Sequence, residues 1–102
     1  MLYVPMKIEG HPVVAFVDSG AQSTIISKTL AEKTGILRLL DRRYAGVAQG
    51  VGQARIFGKI HMVTIQFGNL HIPCSFTVMD DRMELLFGLD MLKRYRVIIK
   101  GF

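Results

Sequence analysis

Nine consecutive residues decide the fold of this chain: Val13-Val14-Ala15-Phe16-Val17-Asp18-Ser19-Gly20-Ala21. The first five are all apolar, so they predict a central strand that is buried on both faces. The aspartate that follows is held at the edge of the core, and the glycine lets the backbone turn sharply there. A rigidly placed, partly desolvated carboxylate suits a general base, so Asp18 is the candidate catalytic residue. Asp-Ser-Gly alone is also a common turn, and only its position after a buried strand favours the catalytic interpretation.

The rest of the chain has mainly the signals of short β-strands. The clearest pair is a hairpin of residues 61–67 and 70–79, joined by the two-residue turn Gly68-Asn69. Two short helices are predicted, one over residues 28–33 with Ser27 as its N-cap and Gly35 at its end, and one over 90–95. The other predicted strands are Leu2–Ile8 (at an edge or irregular, because of Pro5), Thr24–Ile26, Leu85–Phe87 and Val97–Ile99. Glu9-Gly10 is predicted to be the turn between Leu2–Ile8 and the strand that ends at Val17.

Residues 44–57 read as a hairpin with a glycine-rich tip, which contains Gly46, Gly50 and Gly52. The spacing of these glycines does not match a dinucleotide-binding motif, because Arg55 stands where the third glycine would be. No Gly-Lys-Ser/Thr follows either, so phosphate binding is not expected. The segment is interpreted as a loop that bends at little cost.

Composition limits the classes of protein to consider. A chain of 102 residues predicts one domain spanning residues 1–102. Half of the residues are hydrophobic and 21% are charged, which excludes intrinsic disorder and leaves an apolar surplus for a partner surface. The single cysteine, Cys74, cannot form an internal disulfide, and no signal peptide is visible, so a cytoplasmic location is expected. Residues 60–79 carry no charge but alternate in polarity, so we expect a hairpin and no membrane span.

Other kinds of site are weakly supported. The net charge of +5 comes from scattered basic residues with two small clusters, 38–43 and 93–96, which predicts a solvated face and no nucleic-acid binding. A nucleic-acid-binding β-barrel would require a steep salt dependence of affinity. The three histidines lack metal-ligand spacing, so neither a metal nor a cofactor is expected. Cys74 and His71 point to opposite faces of their strand, which favours a packed cysteine over a nucleophile.

The segment Phe16 to Ala21 resembles the active-site segment of the retropepsin-type aspartic proteases, and Leu85-Leu86-Phe87-Gly88 before a short helix resembles their second signature. The resemblance implies a mainly β, closed retropepsin-like barrel with one or two short helices and one flap hairpin per subunit. It implies that Ser19, Gly20 and Ala21 support Asp18, and that Leu86 and Gly88 form the second signature. The residues implied for the flap and for substrate binding are Gly46, Val47, Gly50, Val51 and Gly52.

A narrower resemblance is carried by residues 41–48, 50–52, 72–76 and 88–94, which are similar to the DNA-damage-inducible ubiquitin-shuttle proteins. It implies a domain excised from a longer eukaryotic protein, acting in the ubiquitin–proteasome pathway in the cytoplasm and in the nucleus. Ubiquitin and the proteasome would be bound through domains absent here. The sequence departs from the viral enzymes at Gln22 and Leu89, where those enzymes carry an ion pair, so the subunit contact and part of the substrate subsite are expected to differ.

The chain has one Asp-Ser-Gly, whereas aspartic proteolysis needs two carboxylates that share a proton. Asp18 must then act twice, once from each subunit of a two-fold homodimer. The expected function is an aspartic endopeptidase acting on extended protein substrates, ubiquitinated ones included. The alternative is a non-catalytic dimerisation and polypeptide-binding module of a proteasomal shuttle factor.

Overall fold

The protein is described by a computed structural model that covers residues 2–18, 20–48, 54–80 and 83–94. Within these ranges the backbone forms strands, two short helices and two 3-10 turns, the latter at Leu37–Leu39 and Arg42–Tyr44. The strands are β1 (Leu2–Ile8), β2 (His11–Val17), β3 (Ile25–Ser27), β4 (Gly46–Ala48), β5 (Ala54–Phe67), β6 (Leu70–Met79) and β7 (Leu85–Phe87), and the helices are α1 (Lys28–Lys33) and α2 (Leu89–Arg94).

The strands form one sheet in the order β1-β2-β7-β3-β6-β5-β4. β1 also pairs with β5, at Lys7–Gln66 and Ile8–Ile65, so six strands close into a barrel and β4 is added to β5 outside it. Most pairings are antiparallel, whereas β2–β7 and β3–β6 are parallel. The predicted mainly β, closed barrel with two short helices is therefore confirmed within the described residues.

The two tight turns that the sequence predicts are present. β1 and β2 pair up to Ile8–His11, and Glu9 and Gly10 both have positive φ. β5 and β6 pair up to Phe67–Leu70, with Gly68 at a φ of 60°. The start of β5 was predicted wrongly: the strand begins at Ala54, well before the predicted His61, because the returning strand of the glycine-rich hairpin continues directly into the next hairpin.

Helix α1 begins and ends where the sequence predicts. The Ser27 hydroxyl oxygen accepts a hydrogen bond from the Leu30 N–H at 3.0 Å, as an N-cap does. Gly35 follows the helix with a φ of 80°, a conformation that suits glycine after a helix end. Helix α2 begins at Leu89, one residue before the prediction, while the predicted Tyr95 end and the Val97–Ile99 strand lie outside the described residues.

The core fills the inside of the barrel, and it corrects one prediction. Val14 in β2 is 55% exposed, so this strand is central but not buried on both faces. The reason is that a closed barrel has one interior, and alternate side chains of every strand point outward. β6 follows the predicted alternation except at exposed Leu70. The most deeply buried large side chains include Val4, Ile8, Ile26, Ile36, Ile60, Ile65, Phe76, Val78, Leu85 and Met91.

Part of the apolar surplus lies on the surface of the single chain. Large hydrophobic side chains among the described residues that remain exposed are Leu2, Tyr3, Val14, Leu39, Tyr44, Met62, Leu70 and Met83. Within the part of the chain that the structure describes, no helix has the length and hydropathy needed to cross a membrane.

Candidate active site

Asp18 directly follows the end of β2 and is fixed by the neighbouring strand. β2 and β7 pair in parallel at Phe16–Leu86 and Val17–Phe87. The Asp18 N–H donates to the Phe87 carbonyl at 3.1 Å, which continues this pairing by one residue. The aspartate side chain is half-buried. The backbone that carries the carboxylate is therefore attached to a strand of the barrel, as the sequence predicts.

The turn after Asp18 orients its carboxylate. The Gly20 N–H donates to Asp18 Oδ1 at 2.8 Å, and the Ala21 N–H donates to the Asp18 carbonyl at 3.2 Å. A Cβ atom on Gly20 would lie 3.1 Å from Oδ1, which is close enough to disturb this arrangement. Gly20 therefore fixes the side chain of Asp18, and Ala21 fixes its backbone. Ser19, the third predicted supporting residue, lies outside the described residues.

The second predicted signature crosses directly over this loop. Leu86 is buried in β7, and Gly88 comes just after the strand. A Cβ atom on Gly88 would collide with the Ser23 carbonyl group and would lie 3.0 Å from the Ala21 carbonyl oxygen. Glycine is required here because two backbone segments touch. The structure therefore brings Gly88 against the loop that carries Asp18.

Two further hydrogen bonds join these segments beyond Gly88. The Leu89 N–H donates to the Ala21 carbonyl at 2.6 Å, and the Asp90 N–H donates to the Gln22 carbonyl at 3.2 Å. Leu89 and Gln22, the two positions that depart from the viral ion pair, are thus neighbours in space. The Gln22 side chain is exposed and the Leu89 side chain is half-buried, so a neutral pair occupies this place.

Sequence reasoning missed Thr24 and Asp90. The Thr24 hydroxyl donates to Asp90 Oδ1 at 2.8 Å, and its oxygen accepts the Gly88 N–H at 3.1 Å. Thr24 is only 1% exposed, so this hydroxyl satisfies a buried backbone group next to the active-site loop. The two residues are 66 positions apart, and nothing in the local sequence pattern could have paired them.

The residues that the resemblance implies for the flap are described in part. Gly46 and Val47 lie in β4, which pairs antiparallel with β5 at Gly46–Ile56, Val47–Arg55 and Ala48–Ala54. This pairing agrees with the hairpin that the sequence predicts. Gly50, Val51 and Gly52 lie outside the described residues, so their placement stays a prediction.

The remaining candidate groups have structural surroundings. Cys74 is buried, and its thiol donates weakly to the Ser75 carbonyl at 3.6 Å, whereas His71 is exposed on the opposite face of β6. Residues 2–18, 20–48, 54–80 and 83–94 contain no group of three His, Cys, Asp or Glu side chains that could hold a metal ion.

Comparison with known proteins agrees with this arrangement. The profile of the aspartyl protease family matches residues 1–100. The DNA damage-inducible protein 1 of Cryptococcus neoformans is 59% identical over 97% of the chain, and the protein DNA-DAMAGE INDUCIBLE 1 of Arabidopsis thaliana is equally similar. The chain spans 23% and 24% of these two relatives, about a quarter of their length.

Solved structures show the same fold. The retroviral protease-like domain of Ddi1 from Leishmania major is 49% identical with a TM-score of 0.86, and the match covers 94% of this chain and 78% of that one. The EIAV protease, solved with an inhibitor, is 24% identical with a TM-score of 0.69 over 91% of this chain and 86% of its own. The similarity to the EIAV protease supports the fold alone. The Leishmania domain is similar to this chain in both fold and sequence. The chain belongs to the aspartyl protease family and, within it, to the retroviral protease-like domains of the Ddi1 proteins.

Proposed function

We propose that this protein is an aspartic endopeptidase that hydrolyses peptide bonds in extended protein substrates. The fixed placement of Asp18 carries the proposal. Its N–H is hydrogen-bonded to β7, the Gly20 N–H orients its carboxylate, and Gly88 packs closely against the loop that follows it. Preorganised placement of a carboxylate is the main structural requirement for general acid–base catalysis.

The catalytic unit is a homodimer. Among the aspartates, Asp18 alone stands in an Asp-Ser-Gly sequence after a strand, so one chain supplies one such carboxylate. A two-fold axis beside this loop would bring the Asp18 carboxylates of two protomers together. Two carboxylates a few ångströms apart cannot both ionise, and the pair then shares one proton. Because Gln22 and Leu89 are uncharged, this contact would lack the ion pair that the viral enzymes are expected to carry there.

The reaction follows from that shared proton. The ionised carboxylate takes a proton from a water molecule, whose oxygen attacks the carbonyl carbon of the scissile bond. The protonated carboxyl gives its proton to the carbonyl oxygen, and a neutral tetrahedral intermediate forms. When the intermediate collapses, the protonated carboxyl gives its proton to the nitrogen, the C–N bond breaks, and the other carboxylate takes a proton from one hydroxyl of the intermediate. An acid and an amine are released, and the dyad again holds one proton. The hairpin of β4 and β5 covers the peptide during these steps.

The cellular role is proposed from the relatives. Their names link the family to DNA damage. Substrates from the ubiquitin–proteasome pathway, in the cytoplasm and nucleus, are proposed from the resemblance that residues 41–48, 50–52, 72–76 and 88–94 carry. Ubiquitin and the proteasome would be bound by parts of the longer protein outside this chain.

Substitution of Asp18 tests the activity. Asp18→Asn keeps the size of the side chain, so it should preserve the dimer in sedimentation while cleavage of a peptide library falls by about 10³-fold or more. Glu32→Gln, which removes an exposed carboxylate on α1, is the matched control and should cleave normally. Undiminished cleavage by Asp18→Asn would refute the proposal.

A binding measurement separates the enzyme from a non-catalytic polypeptide-binding module. A peptide with a central hydroxyl in place of the scissile bond mimics the tetrahedral intermediate, so a catalytic dyad should bind it far more tightly than the parent peptide. This preference should vanish in Asp18→Asn. Equal binding of both peptides, unaffected by the substitution, would support the module instead.

A further inference from the structure

Asp41 contacts the barrel strand β5 and lies just before the 3-10 turn that leads into β4, the first strand of the flap hairpin. Its N–H donates to the Lys59 carbonyl at 2.8 Å, and its carbonyl accepts the Lys59 N–H at 3.1 Å, so Asp41 forms a two-sided bridge with β5. The contact is close, because a Cβ atom on Gly58 would strike the Asp41 carbonyl oxygen. The segment that leads into the flap is therefore attached to β5 at this point.

The Asp41 carboxylate strengthens the same attachment. Oδ1 accepts hydrogen bonds from the Arg43 backbone N–H at 3.1 Å and from Arg43 Nε at 2.9 Å. Oδ2 accepts from Arg43 Nη2 and from His61 Nε2, both at 2.7 Å. The Asp41 side chain is 13% exposed, whereas that of Arg43 is 84% exposed. Asp41 thus ties the 3-10 turn at Arg42–Tyr44 to a side chain of β5.

The last residue of that turn makes a second contact with β5. The ring of Tyr44 meets the ring of His61 edge-on, with centroids 5.1 Å apart, and Lys59 Nζ lies 5.8 Å from the Tyr44 ring centroid. Tyr44 is followed by Ala45 and then by β4. Within the described residues, the groups that face His61 are Asp41 and Tyr44, with Arg43 and Lys59 adjacent to them.

The attachment lies where β5 changes from flap strand to barrel strand. The first residues of β5 pair with β4, and its later residues pair with β6 and β1. The register of β5 against β6 shifts between Ile56 and Gly58 and again between Ile60 and Val63. Such irregularities bend a strand locally. Lys59 and His61 are the β5 residues that bind Asp41. Lys59 lies between the two irregularities, and His61 lies within the second one.

We propose that Asp41 is a positioning residue of the protease, which together with Arg43 and His61 fixes the start of β4 on β5 and so sets the position of the base of the flap relative to a bound peptide. This inference rests on the proposed function, since it assigns the flap a part in catalysis. Asp41 does not touch the reacting atoms. It acts through the turn at Arg42–Tyr44, which sets the start of β4.

Hydrogen exchange in the dimer without substrate tests the anchoring itself. Asp41→Asn should speed amide exchange about tenfold in residues 46–48 and 54–57 while leaving residues 2–17 unchanged. His61→Gln, whose amide can still donate to Asp41, should stay near the wild type, whereas His61→Leu should resemble Asp41→Asn. Glu32→Gln is the control for loss of a carboxylate. Unchanged exchange at the flap base, or an equal rise throughout the chain, would overturn the proposal.

Kinetics on a long peptide tests the consequence for catalysis. Asp41→Asn and His61→Leu should lower kcat/KM about tenfold, mainly through a higher KM, because the flap base is misplaced while Asp18 is intact. His61→Gln should restore the value. A fall in kcat alone with unchanged KM would contradict a positioning role. If the wild type does not cleave peptides at all, the proposed function fails, whereas the exchange experiment still decides whether Asp41 anchors the hairpin.

Discussion

The hydroxyl of Thr24 and the carboxylate of Asp90 form a 2.8 Å hydrogen bond that joins the loop after Asp18 to the first turn of α2. The same hydroxyl oxygen accepts the N–H of Gly88. Thr24 is buried, so its hydroxyl gives the Gly88 N–H a hydrogen-bond acceptor at a place that water does not reach. The active-site loop and the second signature are therefore coupled by one side chain.

Replacement of Thr24 should reveal this coupling. Thr24→Val keeps the shape but leaves the Gly88 N–H without its acceptor, so the free energy of unfolding should fall by about 1–3 kcal/mol. Thr24→Ser keeps the hydroxyl and should lose less than about 1.5 kcal/mol, mainly from the missing methyl group. Urea unfolding of both variants provides the comparison. Equal stability of the two would show that the hydroxyl does not matter.

A side chain at Gly88 should be poorly tolerated. Gly88→Ala places a Cβ atom against the Ser23 carbonyl, so the two loops must separate, at a cost of about 1–3 kcal/mol in stability, together with a loss of peptide cleavage. Gly46→Ala is the matched control for stability, because a Cβ atom there meets nothing within 4 Å. Thermal or urea unfolding decides the point, and a Gly88→Ala variant as stable as Gly46→Ala would contradict the close crossing.

The Asp41 cluster should make stability depend on pH. Hydrogen bonds from Arg43 and then from His61 lower the pKa of Asp41 well below its usual value. A carboxyl whose pKa is lowered by folding stabilises the protein above the pKa of the unfolded chain, about 3.9, and this contribution is lost as the pH falls towards the folded-state pKa.

The stability difference between wild type and Asp41→Asn should therefore reach its full value above about pH 5 and should shrink as the pH falls to about 2. Urea unfolding of the two proteins over this range measures it, with Glu32→Gln as a control whose difference from the wild type stays small. A difference for Asp41→Asn that does not change with pH would show that the cluster is not linked to folding.

Local patterns were enough to predict much of the barrel. Gly68-Asn69 and Glu9-Gly10 specify turns by their own backbone preferences, and Ser27 specifies a helix start with one hydroxyl. Asp18 could be named as a candidate because its signal is also local, a strand followed by a sharp turn. Val14 was misjudged because an all-apolar strand does not tell which face a closed barrel leaves outside.

The contacts that hold the site together join distant parts of the chain and were not predicted. Thr24 meets Asp90, and Asp41 meets His61 across 20 positions, only because the barrel brings separate strands together. Neither pair has a motif of its own. Their partners are set by tertiary structure, so a single sequence carries no signal for them.

Mixing wild-type protein with Asp18→Asn at a fixed total concentration tests the shared dyad most directly. Native mass spectrometry first confirms that the two proteins form mixed dimers at random. If each active site needs an Asp18 from both protomers, cleavage should follow the square of the wild-type fraction, so an equal mixture should keep about a quarter of the activity. A linear dependence, with about half of the activity left in the equal mixture of randomly formed dimers, would contradict a dyad built from two copies of Asp18.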